Sequence, residues 1–203
     1  MVMSINNAIS KYEWQYIVSS SLLILVFILT DVIKVFDKEI LYFAPRLISD
    51  QPYRIFTSIL VHADLNHLFR NLGGIVITRY FFIRLGLKNE FFYLKFILIC
   101  SFFNFAFRWI FERFLSYLFN IYPNYASLGF SGIIYAFFGF ILLSSFYEKS
   151  YFCGSKINLK NNYEIQTMSK TICLIGLLFS FFPGVSLIGH LSGFVAGCFL
   201  YLL

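Results

Sequence analysis

The stretch "LGFSGIIYAFFGF", residues 128–140, decides the fold class, because apart from Ser131 and three glycines it is built from apolar and aromatic residues. A soluble domain of this size carries roughly one charged residue in four. Here only 13% of the 203 residues are charged, 59% are hydrophobic, and the mean hydropathy is +0.76. These values indicate an integral membrane protein, and the length suits one compact bundle.

Apolar runs divide the chain into candidate membrane helices. A bilayer core of about 30 Å needs about 20 apolar residues per helix. The runs predict an all-α, polytopic fold, a single domain over residues 1–203 with six transmembrane helices at 14–35, 64–85, 91–107, 131–147, 167–182 and 188–203. The third run can extend beyond Phe107, and Arg108 and Glu112 in that extension predict an interfacial turn there. The first run lacks a small-residue cleavage site, which predicts a retained anchor.

Loop charges predict the orientation. The loops after the second and fourth spans are basic and hold only Glu90, Glu148 and Glu164 against Arg79, Arg84, Lys88, Lys95, Lys149, Lys156, Lys160 and Lys170. The positive-inside rule then places both termini in the cytoplasm and the start of the fourth span near the outer face. The net charge of +6 is spread over these loops, which favours membrane orientation over nucleic-acid binding. Short loops suggest a bacterial inner membrane.

The four cysteines show no paired spacing. Three of them lie in apolar runs, where cysteine behaves as a small hydrophobic residue. We therefore expect neither a disulfide framework nor a cysteine metal site from Cys100, Cys153, Cys173 and Cys198.

Polar residues inside a membrane are costly, so each is a candidate for function. Ser131 opens the fourth span and His190 opens the sixth, near the same predicted face. A serine hydroxyl is a poor nucleophile until a neutral imidazole accepts its proton. The spans from the fourth onward contain no Asp or Glu, so the sequence predicts a Ser/His dyad without a carboxylate. Such chemistry requires no cofactor or metal.

Small residues predict how these two spans meet. Gly193 and Gly197 form a stripe on the sixth span, and Gly132 and Ala136 form one on the fourth. Such stripes let helix backbones approach closely. Because Ser131 precedes Gly132 and His190 lies three residues before Gly193, a tight seam brings hydroxyl and imidazole together.

Three further side chains complete the predicted site. His67 and Asn71 are spaced i,i+4 on the second span and carry N–H groups suited to a developing oxyanion. The backbone N–H of Ser131 is the third donor. Tyr135, one turn below Ser131, is expected to pack against the His190 ring.

Four motifs, in order across residues 54–203, resemble those of the rhomboid intramembrane serine proteases. They are "RIFTSILVH" (54–62), "HADLNHLFRN" (62–71), "GFSG" with Gly129 and Gly132, and "GHLSGFVAG" with Gly193 and Gly197. The resemblance implies a six-helix core and a dyad of Ser131 and His190, with His67 and Asn71 at the oxyanion hole. It also implies that the substrates are transmembrane segments of membrane proteins, which enter past the fifth span and the loop at 183–189.

The chain departs from the family pattern at three positions. Phe82 stands four residues before Gly86, where many relatives have a carboxylate. Arg70 occupies a usually apolar position and is expected to reach the outer interface. Tyr53 precedes Arg54 where a Trp is usual. The short six-span form also resembles the rhombosortase branch, which processes proteins with a glycine-rich C-terminal membrane tail.

Each assignment has a structural alternative. The Ser131 hydroxyl could bond to its own helix, and His67 with Asn71 could join helices by hydrogen bonds. His62 is expected to anchor a loop. Asp64 is expected to cap the second span by accepting from a backbone N–H such as that of His67.

Two other functional classes stay open at this point. One is a non-catalytic protein that binds membrane helices. The other is a metal protein with histidine ligands, which works only if His62 lies off the helix that carries His67, because i,i+5 spacing splays two ligands apart.

Overall fold

The computed structural model describes residues 13–84, 91–120, 127–147, 162–182 and 184–203, and apart from turns, loops and one isolated β-bridge these ranges are helical. The helices are α1 Trp14–Phe27, continued by a π-helical turn Ile28–Val32, then α2 Arg54–Thr57, α3 Leu65–Arg84, α4 Phe92–Phe119, α5 Ser131–Ser144, α6 Tyr163–Phe179 and α7 Leu187–Leu202. Three 3₁₀ turns lie at Lys38–Ile40, Pro45–Leu47 and Ser58–Leu60. The predicted all-α class is confirmed for the described residues, which contain an isolated β-bridge but no strand.

The number of membrane spans stays a prediction. Within the described ranges, two helices are long and apolar enough to cross a bilayer, Trp14–Val32 and Phe92–Phe119. The apolar helices Ser131–Ser144 and Leu187–Leu202 are shorter. Much of the two predicted basic loops lies outside the described residues, as do Gly86, residues 121–126, Cys153 and Pro183.

The predicted extension of the third run is present, because α4 continues without a break to Phe119, whereas the interfacial position predicted for Arg108 and Glu112 is wrong. Arg108 and Glu112 are both 6% exposed, and Arg108 Nε donates to Glu112 Oε1 over 2.6 Å. An i,i+4 pair of opposite charges stabilises a helix rather than ending it. The pair also lets both charges be buried in the bundle, which an isolated charge could not be.

Other helix ends also differ from the predicted bounds. α6 begins at Tyr163 rather than near 167, because the Asn162 side chain accepts from the backbone N–H of Ile165 over 3.1 Å and caps the helix. α5 ends at Ser144, three residues before the predicted end at Tyr147. The predicted cap of α3 is confirmed, since Asp64 Oδ1 accepts from the backbone N–H of His67 over 2.8 Å.

α5 forms the centre of the bundle and packs against α3, α4, α6 and α7. Its contact with α7 is a backbone contact. A Cβ atom at Gly193 would overlap the carbonyl of Gly132, and one at Gly197 would overlap the carbonyl of Ala136. On the α5 side, a Cβ atom at Gly139 would overlap the carbonyl of Phe194. The close seam predicted from the glycine stripes is therefore present.

Aromatic rings fill the place where many relatives have a carboxylate. Phe82 is 1% exposed, and its ring contacts four others edge to face at centroid distances of 4.9–5.9 Å, those of Phe92, Tyr93, Phe96 and Phe137. Nearby, Gln15 Oε1 accepts from the backbone N–H groups of Tyr93 and Leu94 at 3.0 and 3.2 Å, which caps α4 from α1. Contacts between aromatic rings and the Gln15 side-chain amide thus hold α1, α3 and α4 together.

The Arg-x-x-Thr motif fastens the loop between α1 and α2. Arg54 is 4% exposed, and its Nη1 donates to the carbonyls of Glu39 and Tyr42, each over 2.7 Å. Thr57 Oγ1 donates to the Leu41 carbonyl over 2.9 Å. Arg54 also lies over the Tyr53 ring, 5.8 Å from its centroid, so the tyrosine that replaces the usual Trp still packs on the arginine.

The α5–α7 contact predicts a large difference between two glycine substitutions. We expect Gly197→Ala to destabilise the protein by about 1–3 kcal/mol, because the new methyl group meets a backbone carbonyl that cannot move alone. Gly73→Ala on α3 is the matched control, since no atom lies within 4 Å of its Cβ position. Thermal unfolding in detergent measures both. Equal midpoints for the two variants would contradict the direct backbone contact.

Candidate active site

Ser131 is the first residue of α5, and the turn before it is held from two sides. Gly129 has φ +106°, a conformation that favours glycine, and its N–H donates to the Ser58 carbonyl over 2.9 Å. Just before this turn, Phe43 and Ser127 form a β-bridge with N–H to O distances of 2.8 and 3.0 Å. The backbone N–H of Ser131 lies in the first turn of α5, where helix geometry leaves such groups without an intrahelical partner.

His190 lies in the first turn of α7 and is 7% exposed. Its ring stacks on the Tyr135 ring with the centroids 3.8 Å apart and an interplanar angle of 16°. The packing predicted for Tyr135 is therefore present.

The Ser180 hydroxyl holds the other edge of the histidine. Ser180 Oγ lies 2.9 Å from His190 Nδ1, 2.9 Å from Tyr135 Oη and 3.0 Å from the Gly176 carbonyl. The Tyr135 hydroxyl also donates to the Gly176 carbonyl. When His190 Nδ1–H donates to Ser180 Oγ, the Ser180 O–H donates in turn to one of these oxygens, and Nε2 keeps its lone pair for the cavity. No pattern in the sequence had pointed to Ser180.

Ser131 and His190 line one cavity together with Gly129, Gly132 and Gly189. In the described part of the chain no hydrogen bond joins the Ser131 hydroxyl to His190, and none joins it to its own helix. The structure thus brings the predicted pair to the same cavity without a direct hydrogen bond between them.

His67 and Asn71 reach the same turn from α3. A Cβ atom at Gly129 would lie 2.6 Å from His67 Nε2 and 3.4 Å from Asn71 Nδ2. Asn71 is 2% exposed, and its Nδ2 has no hydrogen-bond partner among the described residues. The backbone N–H of Ala63 donates to His67 Nδ1 over 3.5 Å, which leaves the proton on Nε2. Both side chains thus present N–H groups beside the serine turn.

Four residues of α4 that were not predicted at the site also line the cavity, among them Asn104 and Arg108. Asn104 Oδ1 accepts from Ser192 Oγ over 2.7 Å, and a Cβ atom at Gly132 would overlap the Asn104 amide nitrogen. The missing side chain of Gly132 therefore makes room for Asn104 of α4 as well as for the close approach of α7. The i,i+4 spacing of Asn104 and Arg108 was the available signal.

His62 lies off the helix, before α3, and is fully buried. Burial lowers its pKa to about 4, so its imidazole stays neutral near pH 7. Its ring contacts the His67 ring edge to face at 5.2 Å. No group of three or more potential metal ligands occurs within the described ranges, so the geometry gives the histidine metal site no support.

A family model described as Rhomboid domain matches residues 49–203, more than half of the chain. The chain belongs to the rhomboid family. Rhomboid proteins are in general intramembrane serine proteases that act on membrane proteins, and the family also has non-catalytic members. A comparison with curated proteins found no match. This rhomboid chain is accordingly a membrane protein, and its assignment to the rhombosortase branch stays a prediction.

The contact of Ser180 with His190 predicts a change of tautomer. We expect Ser180→Ala to lower the fraction of His190 that carries its proton on Nδ1, because the acceptor for that proton is lost. Nitrogen NMR of ¹⁵N-histidine-labelled protein measures this directly, since the chain has three histidines. Ser144→Ala is the control, because Ser144 Oγ donates to the carbonyl of Ile141 within α5. A His190 spectrum unchanged by Ser180→Ala would contradict the contact.

Proposed function

We propose that this rhomboid chain is a serine endopeptidase that hydrolyses peptide bonds within transmembrane segments of other membrane proteins, with Ser131 as nucleophile and His190 as base. One observation carries the proposal. Ser131 and His190 line the same cavity, and His190 is held there by Tyr135 on its face and Ser180 on its edge. A base fixed in this way presents one nitrogen to the nucleophile.

The proposed reaction has two halves. Ser131 Oγ attacks the scissile carbonyl while His190 Nε2 accepts the hydroxyl proton. The tetrahedral intermediate collapses, and the imidazolium gives that proton to the departing amine. Water then attacks the acyl-enzyme with His190 again as base, which releases the carboxyl product and restores the serine. The Ser131–His190 hydrogen bond belongs to the substrate complex, since such bonds are often long in unliganded enzymes.

The oxyanion is stabilised by donors from two elements. α3 supplies Asn71 Nδ2 and His67 Nε2, and α5 supplies the backbone N–H of Ser131. Asn71 supports this role most directly, because a buried amide N–H with no partner in the described part of the chain costs free energy until an acceptor arrives. The alternative, in which Asn71 joins two helices by a hydrogen bond, is less well supported, because Asn71 Nδ2 has no such partner among the described residues.

The substrate segment enters sideways, in this proposal, past α6 and the loop before α7. α6 packs against α5, and the described residues show no packed interface between α6 and α3. Across this gap the Arg70 guanidinium lies 5.9 Å from the ring centroid of Phe179. We propose six spans, both termini in the cytoplasm and the serine towards the outer face of a bacterial inner membrane.

An activated serine predicts labelling by a fluorophosphonate probe. We expect the native protein to be labelled, and Ser131→Ala and His190→Ala to lose labelling because nucleophile or base is absent. Labelling falls at acid pH, because imidazolium accepts no proton. Ser144→Ala should label as the native chain does.

A known rhomboid protease labelled alongside controls for the conditions. Undiminished labelling of His190→Ala would contradict the dyad. A folded native protein that is never labelled would favour the non-catalytic binding protein instead.

The oxyanion assignment predicts a separate rate effect. We expect Asn71→Ala to lower the rate constant of labelling by about 10²–10³-fold, since the phosphoryl oxygen needs the same donor as the peptide oxyanion. Asn66→Ala is the matched control, because Asn66 is exposed on the same helix. Equal rate constants for native protein and Asn71→Ala would remove Asn71 from the oxyanion hole.

A further inference from the structure

Arg108 is a buried cation beside the proposed nucleophile. It lies on α4, is 6% exposed, and lines the cavity that also contains Ser131 and His190. A buried charge inside a membrane protein is costly unless it is paired, and such residues are candidates for function. The mechanism proposed above makes no use of it.

Arg108 makes a polar contact through Nε, and its Cζ atom lies over an aromatic ring. Nε donates to Glu112 over 2.6 Å, and Cζ lies 4.9 Å from the centroid of the Phe43 ring. Neither terminal nitrogen has a hydrogen-bond partner among the described residues. Nη1 lies 3.7 Å from the Cβ position of Gly189, the residue before His190, so this terminal nitrogen lies beside the start of α7.

The side of the guanidinium that carries Nη1 lies at the cavity, because Gly189, whose Cβ position is 3.7 Å from Nη1, lines the cavity as well. Glu112, the ion-pair partner of Arg108, does not line the cavity, whereas Arg108 and Asn104 both do. Glu112 therefore binds the arginine through Nε, on the side away from the cavity, and the terminal N–H groups stay available to a substrate. A planar pair of N–H groups matches a carboxylate better than any other side-chain group.

We propose that Arg108 forms a specificity subsite for a carboxylate of the substrate, supplied by an acidic side chain close to the scissile bond. This inference rests on the proposed function, because the subsite is defined by its place beside Ser131. Glu112 keeps the empty site neutral as a pair, and the substrate carboxylate occupies the donors that Glu112 leaves free. A charge-assisted hydrogen bond of this kind corresponds to a preference of about 10–100-fold over a neutral isostere.

Two matched fluorophosphonate probes test the subsite. One carries a terminal carboxylate and the other a terminal carboxamide, each on the same series of spacer lengths. The measured quantity is the ratio of their rate constants for labelling Ser131. We expect the native protein to favour the carboxylate by about 10–100-fold at one spacer length.

Two variants then move this ratio in opposite directions. Arg108→Gln/Glu112→Gln removes both charges while keeping two amide-sized side chains, and the ratio should fall to about one. Glu112→Gln leaves the arginine charge without its partner, and the ratio should rise above the native value. A purely structural arginine predicts no change of ratio in either variant, whatever happens to stability. If the double variant does not fold, Glu112→Gln alone decides.

The outcomes separate the two proposals. Labelling by the carboxamide probe with a native ratio of one at every spacer length would overturn the subsite and leave the protease proposal intact. A ratio that the variants do not alter would do the same. Failure of both probes to label the folded native protein would overturn the proposed function and the subsite with it.

Discussion

The backbone contact between α5 and α7 is the constraint on which the rest of the structure depends. Lipid tails are as apolar as leucine, so apolar side chains alone give two membrane helices little reason to associate. Close packing supplies that reason, and it requires that no Cβ atom stand between Gly197 and the carbonyl of Ala136 or between Gly193 and that of Gly132. The same contact lies one residue from Ser131 and three from His190, so packing and site geometry are set together.

The candidate site combines this rigid seam with side chains from the elements around it. α3 brings two N–H donors, α6 brings the Ser180 hydroxyl, and α4 brings an amide and a guanidinium. The loop after α1 is joined to the serine turn by the bridge of Phe43 with Ser127 and is itself fastened by Arg54. Polar contacts between distant segments thus replace the hydrophobic effect, which is weak between helices in lipid.

The sequence predicted what depends on local spacing. The helical class, the α5–α7 glycine stripes, the Asp64 cap and the stacking of Tyr135 each follow from residues at helical intervals. It did not predict contacts between remote segments that no spacing of residues signals, such as Ser180 with His190 or the rings around Phe82. The position of Arg108 and Glu112 was misjudged because charges next to an apolar run usually mark a membrane surface, whereas these two neutralise each other in the interior. The number of spans stays a prediction.

The length of α5 explains why so many polar groups are needed. Fourteen helical residues rise roughly 21 Å, less than the hydrocarbon core of about 30 Å. If α5 crosses towards the cytoplasm, Ser131 at its start lies below the opposite surface, where an unpaired hydroxyl or N–H group costs several kcal/mol. The polar atoms of α3, α4 and α7 around the serine can supply hydrogen-bond partners at that depth in place of water. A short central helix and a polar cavity are therefore both what the proposed nucleophile requires if it lies inside the membrane.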